Sequence, residues 1–422
     1  MAKSHWTKAE PRGCPLIDLV CFYLDDAAQK VIKNKGAPGI DGITYEQLPN
    51  LLRVHGEKIR QKLKNGTYIP APVRRVDIPK PNGGTRMLGI PTLLDRTIQQ
   101  AIVMTIGDAF EDQFSDKSYG FREGRNCQQA VQRAQEYIKD GNRWVVEMDL
   151  SKFFDRVNHD ILMDRVSRVI DDKAILKLIR RYLNAGIMED GLVSPRLEGV
   201  PQGSPLSPLL SNIMLTDLDR ELEARGLNHV RYADDCNIYV GSLKAGERVM
   251  AYLRTLYDGL KLQINEAKSA VCSAFGRKFL GYELWVAKGR EVKCAVAHKA
   301  VDNFKARIRQ LTRRSIGRSM SEVVEKLRPY LLGWKAYFEM AQTPGVWRKL
   351  DEWLRHRLRA LQLRHWKRGA TIYRELRSLG ATHDVARQVS VNGRRWWRNS
   401  AKLLNSILTI AHFDRLGLPR LS

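Results

Sequence analysis

The run Val230-Arg-Tyr-Ala-Asp-Asp-Cys-Asn-Ile-Tyr-Val240 decides how the chain is read. Two short segments rich in β-branched and aromatic residues flank a polar pair, the pattern of strand, tight turn and strand. Upstream, Trp144-Val-Val-Glu-Met-Asp-Leu150 reads as another strand, ending on Asp149 and passing into a helix near Ser151. Between these strands the apolar spacing predicts a long helix from Ile161 to Leu183 and another from Leu206 to Arg225; helix returns from Ala245 to Gly259. Toward the N-terminus, Val73-Arg-Arg-Val-Asp-Ile-Pro79 and Thr85-Arg-Met-Leu-Gly-Ile-Pro91 flank the turn Lys80-Pro-Asn-Gly-Gly84 and form a hairpin. Helical spacing recurs from Leu93 to Phe114 and from Cys127 to Ile138. The first 35 residues read as helix, followed by a loop carrying Gly36, Gly39 and Gly42 and a helix from Tyr45 to Leu63. Strands and helices alternate without a regular βαβ rhythm, so the first part of the chain is α+β. Beyond Ala300 the pattern is helical, with Leu327, Leu331, Trp334 and Phe338 on one apolar face.

Asp149 at the end of one strand and Asp234-Asp235 in the turn between two others meet at one sheet edge if the strands are neighbours. Three carboxylates in one place repel one another, and cations make such a cluster tolerable. Oxygen donors of this kind bind Mg²⁺ together with substrate phosphates. Paired ions then serve phosphoryl transfer by activating the attacking hydroxyl and stabilising the leaving oxygen. Taken singly, each acidic site has a plainer account: Asp-Asp is ordinary hairpin chemistry, and Asp149 suits the cap of the following helix.

The 422 residues are 43% hydrophobic, enough for two or three domains, and carry a formal charge of +25 with a pI near 9.9. That balance selects a polyanionic partner. No apolar run approaches the ~20 residues of a spanning helix, and Met1 to Pro15 lack the apolar core of a signal peptide, so the expectation is an intracellular, soluble protein without a membrane partner. The six cysteines form no CxxC pair, which suggests neither a disulfide framework nor a zinc site. Charge is uneven: residues 277 to 422 hold 32 Lys and Arg against 11 Asp and Glu, and seven of the nine tryptophans. Cations interleaved with flat aromatic side chains suit phosphates and stacked bases, although each tryptophan serves equally well to pack helices together.

Between the two acidic sites stands Val200-Pro-Gln-Gly-Ser-Pro-Leu-Ser-Pro208. With Tyr232-Ala-Asp-Asp235, Asn34-Lys-Gly-Ala-Pro-Gly-Ile-Asp-Gly42, Ile78-Pro-Lys-Pro-Asn-Gly-Gly-Thr-Arg86, Tyr119-Gly-Phe-Arg122, Asp149-Leu-Ser-Lys-Phe-Phe-Asp155 and Phe279-Leu-Gly-Tyr282, the set resembles the successive blocks of a group II intron-encoded reverse transcriptase. Leu331-Leu-Gly-Trp-Lys-Ala-Tyr-Phe338 resembles that family's maturase, or thumb, domain. The resemblance covers roughly residues 30 to 420. It implies a right-hand polymerase: fingers and an antiparallel palm sheet over residues 1–290, a helical thumb over 291–370 and a small basic DNA-binding segment over 371–422.

Carried over residue by residue, the resemblance makes Asp149, Asp234 and Asp235 the catalytic metal ligands, with the Leu150 carbonyl as a further oxygen and two Mg²⁺ ions, replaceable by Mn²⁺, as cofactors. Lys80 and Arg86 fall where the fingers hold the incoming triphosphate. Phe154 falls where an aromatic ring crowds a ribose 2′-hydroxyl, Gln202 lies against nucleotide or template, and Lys268 matches a lysine that protonates the leaving pyrophosphate. Gly36 and Gly39 belong to a block that touches template and primer, while Arg394, Arg395 and Arg398 belong to the basic DNA-binding end. The implied partners are intron or other structured RNA, a DNA primer or target, and deoxynucleoside triphosphates, in a cytoplasmic, nucleoid- or ribonucleoprotein-associated setting. Many members continue into a Cys/His-rich HNH endonuclease; the sequence ends at Ser422 without such a cluster, which implies no second-strand cleavage. The expected function is RNA-directed DNA synthesis with intron splicing and retrohoming. The alternatives are an intron-derived enzyme serving host DNA repair or defence, and a maturase that only binds RNA for splicing. Oligomeric state is left open by the sequence.

Overall fold

A computed structural model describes residues 13–79, 85–189, 191–289, 291–313, 317–393 and 395–422. It separates into two compact units, one ending at Ser273 and the other spanning Ala274–Ser422. No helix among the described residues is long and apolar enough to cross a membrane.

The first unit is α+β. Its N-terminal helix is two helices, Leu16–Phe22 and Leu24–Lys33, meeting at Tyr23, and the next runs Leu48–Lys64. Strands β1 (Val73–Pro79) and β2 (Thr85–Ile90) pair antiparallel as expected, and Lys80 and the rest of their connection lie outside the described residues. Strand β3 (Trp144–Met148) follows the helices Leu93–Glu111 and Cys127–Lys139. The single helix expected over Ile161 to Leu183 is two, His159–Ser167 and Lys173–Asn184. Asp172 starts the second by accepting from the backbone N–H groups of Ala174 and Ile175, a local alternative to continuing the first. Short strands β4 (Ile187–Glu189) and β5 (Leu192–Ser194) extend the first hairpin into a sheet of order β2-β1-β4-β5, in which β1 and β4 run parallel.

Strands β6 (Asn228–Tyr232), β7 (Asp235–Val240) and β8 (Ala270–Ser273) join β3 in an all-antiparallel sheet of order β6-β7-β3-β8, the palm sheet of the expected fold. The core lies between this sheet and its helices: Val146, Ile238, Leu215, Ile213 and Leu253 are buried in one cluster that extends to Ile98 and Ile102. Sealing these side chains from water at about 25 cal/mol per Å² holds the sheet as a platform. Helix Leu243–Gly259 covers it closely; a Cβ on Gly246 would stand only 3.5 Å from Val146 Cγ2 and from Val240 Cγ2.

The second unit opens with β9 (Lys278–Phe279), β10 (Tyr282–Val286) and β11 (Val292–Val296), an antiparallel sheet of order β11-β10-β9 that the sequence reading did not anticipate. The divide expected at 290/291 falls inside the β10–β11 hairpin, whereas the compact units part at Ser273 and Ala274. The rest is helical. Trp334 packs on Phe304 at 4.5 Å, Phe338 at 4.8 Å and Trp347 at 5.3 Å between ring centroids, so Trp334 and Trp347 pack helices together. Trp397, in the helix Trp396–Lys402, stays 44% exposed.

Candidate active site

In the palm sheet Met148 of β3 stands opposite Cys236 of β7. The next residue on β3, Asp149, and the preceding one on β7, Asp235, therefore reach the same end of the sheet. Asp234 is there too, because Tyr232 pairs with Asp235 and leaves Ala233-Asp234 as a two-residue turn. Asp234 is half-buried, and its pKa is raised, first by burial and then by the charge of Asp149; Arg86 and Arg231 oppose the shift. The sequence-predicted Arg86 is thus near enough for its charge to act on Asp234.

Asp149 is anchored from beyond the sheet. Its backbone N–H donates to Ser269 Oγ at 3.1 Å, and its carbonyl accepts from the Asn265 N–H at 2.8 Å. Its Oδ2 accepts from Asn265 Nδ2 at 2.9 Å and lies 3.5 Å from Lys268 Nζ. Leu150 is buried and bridges to Ile264. Among the described residues no three Asp, Glu, His or Cys side chains are drawn together closely enough to hold a metal by themselves. The donor chemistry still fits Mg²⁺, which is ordinarily bound through one or two carboxylates plus substrate phosphates and water rather than in an all-protein cage.

The turn itself is held from below. Ala233 has φ 59°, a left-handed conformation that disfavours a residue with a Cβ by ~1–2 kcal/mol. The fully buried Arg231 donates through Nη1 to the Ala233 carbonyl and to Asn212 Oδ1, both at 2.9 Å. Its Nε and Nη2 donate to Asp219, at distances down to 2.6 Å. Burial works against charge on both partners. Burial is the largest single influence, but the partner's charge and the hydrogen bonds together exceed it, so the Arg231 pKa is raised and that of Asp219, with help from His229, lowered. Asn212 Nδ2 donates in turn to the Gly120 carbonyl at 2.9 Å, and the Tyr119 N–H donates to the Arg231 carbonyl at 2.9 Å. Arg122 ties the same loop down through the carbonyls of Ser115 and Ser118. The backbone at Gly120 comes so near the turn that a Cβ there would stand 2.9 Å from the Tyr232 carbonyl carbon and closer still to Ala233 N. Sequence reasoning quoted Tyr119-Gly-Phe-Arg122 and Arg231 but missed this support. The available signal was an arginine between Val230 and Tyr232, just before the Asp-Asp turn.

A second cluster lies at the junction of the two sheets. A cavity of about 210 Å³ is lined by Gly89, Phe154, Arg196 and Gln202 among others, so the structure brings Phe154 and Gln202 together. The Gly89 N–H donates to the Gln202 carbonyl at 3.0 Å, tying β2 to the Pro-Gln-Gly turn. The Val200 N–H donates to the Phe154 carbonyl at 2.6 Å, and Gly199 at φ 87° passes so near Asp155 O that a Cβ would lie 2.7 Å away. Arg196, unremarked in the sequence, is buried here; burial lowers its pKa to about 10 against the opposing charge of Asp155, and its Nη1 has no hydrogen-bond partner.

The remaining sequence-predicted residues lie elsewhere. Gly36 and Gly39 pack against the start of helix Leu93–Glu111: a Cβ on Gly36 would stand 2.6 Å from Arg96 Nη1, and one on Gly39 2.6 Å from Thr92 Cα. Arg395 and Arg398 are exposed beside Trp397, and Arg394 lies outside the described residues.

Carboxylates at the end of an antiparallel palm sheet, within the field of Arg86 and followed in the chain by the Phe154 that lines the cavity with Gln202, define a template-directed nucleic-acid polymerase. Residues 78–284 match the model of the reverse transcriptase (RNA-dependent DNA polymerase) family, and residues 301–380 match that of the group II intron maturase-specific domain. Protein YkfC of Escherichia coli is 35% identical over 335 residues, covering 68% of this chain and 88% of that protein. The group II intron-encoded protein LtrA of Lactococcus lactis is 31% identical over 334 residues, 63% of this chain and 55% of LtrA. The putative COX1/OXI3 intron 1 protein of Saccharomyces cerevisiae is 28% identical over 353 residues, 70% of this chain and 42% of that protein. The chain thus spans most of YkfC but about half of the other two. Among solved structures, a chain of a partial Cas6-RT-Cas1–Cas2 complex aligns with TM-score 0.38 at 26% identity, covering 59% of this chain and 43% of that one. This chain belongs to the group II intron-encoded reverse transcriptase and maturase family, whose RNA-directed DNA polymerases depend on divalent metal ions.

Proposed function

We propose that the protein copies RNA into DNA by two-metal nucleotidyl transfer at the end of the palm sheet. The observation that carries this is the β3–β7 register, which takes Asp149 and Asp235 to one sheet end with Asp234 in the adjoining turn. In this reading Asp149, Asp234 and Asp235, with the Leu150 carbonyl, hold two Mg²⁺ ions, and Mn²⁺ can replace them. Held by those residues, such ions would supply activation of a primer 3′-hydroxyl and charge stabilisation at the leaving pyrophosphate oxygen. The chain's own groups do the rest. Arg86 and Lys80 orient the triphosphate, and Lys268, beside Asp149, delivers a proton to pyrophosphate. Phe154 excludes a 2′-hydroxyl, while Gln202 and the Pro-Gln-Gly turn position the base pair. Asn265 and Arg231 are positioning residues, acting through Asp149 and through the Ala233 carbonyl.

The match to the maturase-specific domain supports a second role on the same chain: binding intron RNA to assist splicing and retrohoming. Residues 291–370 serve as thumb and 371–422 as the basic nucleic-acid-binding end, with Arg394, Arg395 and Arg398 toward DNA and Gly36 and Gly39 shaping the loop that meets template and primer. The test is extension of a DNA primer on an RNA template with Mg²⁺ and deoxynucleotides, beside Asp234→Ala/Asp235→Ala. Extension by the parent alone is expected; extension by neither, with RNA binding intact, leaves only the splicing role.

A further inference from the structure

Helix Pro344–Trp366 and the stretch Ala401–Ala411 line a cavity of about 750 Å³, within the size range of sites that enclose a small molecule. Nothing in the polymerase site uses it. Its wall includes Lys349, Trp353, Arg355 and Arg359 on the helix and Asn405 and Thr409 on the facing stretch.

Arg355 and Arg359 are one helical turn apart and each 6% exposed. Like charges at that spacing repel, and burying them without partners is costly. The Arg359 guanidinium is lowered to about 10, first by burial and then by Arg355. Arg359 Nε donates to the Leu408 carbonyl at 2.8 Å, but Arg355 Nε has no hydrogen-bond partner. Of the acids nearby, Asp351 and Asp414 are already engaged, whereas Glu352 stands on the cavity wall itself. Asp351 stands 3.8 Å from Arg355 Nη2, yet its oxygens accept from the N–H groups of Leu421 at 3.1 Å and Ser422 at 3.0 Å. Asp414 is paired with Arg420, and Glu352 is exposed. Lys349, Arg355 and Arg359 on one wall leave a positive excess over the single carboxylate of Glu352 there, which suits an oxyanion. Flat surfaces lie beside it: Trp353 has the Arg309 guanidinium 5.6 Å from its ring centroid, and His356 stacks on Trp397 at 3.7 Å. Buried cations next to aromatic faces suit a phosphate joined to a base.

We infer that this cavity takes one unpaired nucleotide of a polynucleotide strand, its phosphate on Arg355 with Lys349 at the rim and its base against Trp353. The inference rests on reading the chain as a nucleic-acid enzyme, and it adds a specific nucleotide seat within the second unit. The strand is RNA or DNA, two sources of the same chemistry.

The full chain is titrated with fluorescein-labelled ten-nucleotide oligo(rU), oligo(dT) and an abasic phosphodiester of equal length, followed by anisotropy across a salt series. Trp353→Leu should weaken the base-bearing strands roughly tenfold, the scale of one stacked base, and leave the abasic strand unchanged. Arg355→Gln and Lys349→Gln should each lower the slope of log affinity against log salt by about 0.7 on all three strands. The strand most weakened by Trp353→Leu identifies the source. Equal effects of Trp353→Leu with and without bases, or unchanged salt slopes, overturn the proposal. Lys349 is exposed, so its variant reads the same slope if Arg355→Gln fails to fold. A 5-iodouridine placed in oligo(rU) should cross-link to the peptide containing Trp353; cross-links confined to other peptides overturn the proposal as well. Primer extension on the same preparations reports the polymerase separately: extension with a silent cavity refutes only the cavity, whereas cavity binding without extension counts against the polymerase reading.

Discussion

A single methyl group at Gly120 should disable the site without touching it. The Cβ of Gly120→Ala would be 2.9 Å from the Tyr232 carbonyl carbon and 3.1 Å from Ala233 Cα. These are backbone atoms that no rotamer change moves aside. Ala233 N would be nearer still, so reaching ordinary contact requires the turn to retreat by roughly an ångström, an overpacking that costs about 1–3 kcal/mol. Retreat is resisted, because Arg231 holds the Ala233 carbonyl from a buried network fixed to Asp219 and Asn212. The strain therefore passes to Ala233-Asp234, where a displacement of ~1 Å at a reacting centre lowers the rate by about 10²-fold. The assay is single-nucleotide incorporation with saturating primer–template, read beside a thermal melt and primer–template affinity. Incorporation should fall by about two orders of magnitude with affinity held. Incorporation within a few-fold of the parent in a folded variant would refute the claim that Gly120 and Arg231 together set the position of the turn.

Other expectations follow from the same geometry. Asp219→Ala leaves Arg231 charged, buried and unpaired, and should destabilise the first unit by about 3–5 kcal/mol, read as a shift of its urea midpoint. Phe154→Ala should raise ribonucleotide incorporation relative to deoxynucleotide; an unchanged ratio removes Phe154 as the sugar gate. His159 is buried, its Nε2 2.7 Å from the Gly199 carbonyl, and burial, the largest cause, lowers its pKa below 6.5. The folded state then binds fewer protons than the unfolded one once pH falls below 6.5, so stability present above that pH is lost as pH drops from it toward the depressed folded value. A melting temperature that falls between pH 7 and pH 5 in the parent and falls less in His159→Gln checks the assignment.

Much of this architecture was legible because it is local. Alternating residues and the Gly-Gly turn marked β1 and β2, and the helix Leu93–Glu111 begins where Thr92 caps it. The motif set placed the carboxylates, and the strand register then brought them to one end of the sheet. What escaped is of two kinds. Some signals were present but outweighed: the apolar period across Ile161 to Leu183 hid Asp171-Asp172, whose side chain starts a new helix, and helical spacing beyond Ala300 drew attention from the alternation in Val292-Lys-Cys-Ala-Val296. Others have no local signature. Arg231, Asp219, Asn212 and Gly120 converge from a strand, a helix and a loop, and Asn265 reaches Asp149 from 116 positions away. Gly36 and Gly39, read for contact with nucleic acid, also have a packing role that no local signal showed: the Thr92 backbone leaves no room for a Cβ on Gly39, and the Arg96 guanidinium crowds one on Gly36.

The proposed site makes Asp149, Asp234 and Asp235 one metal-binding end of the palm sheet. Counting bound Mn²⁺ by electron paramagnetic resonance tests it directly, using the full chain with an RNA template, a dideoxy-terminated DNA primer and the next deoxynucleotide. Two ions per parent chain, with fewer in Asp149→Asn and in Asp234→Asn, is the predicted result; the same count in parent and both variants would contradict it.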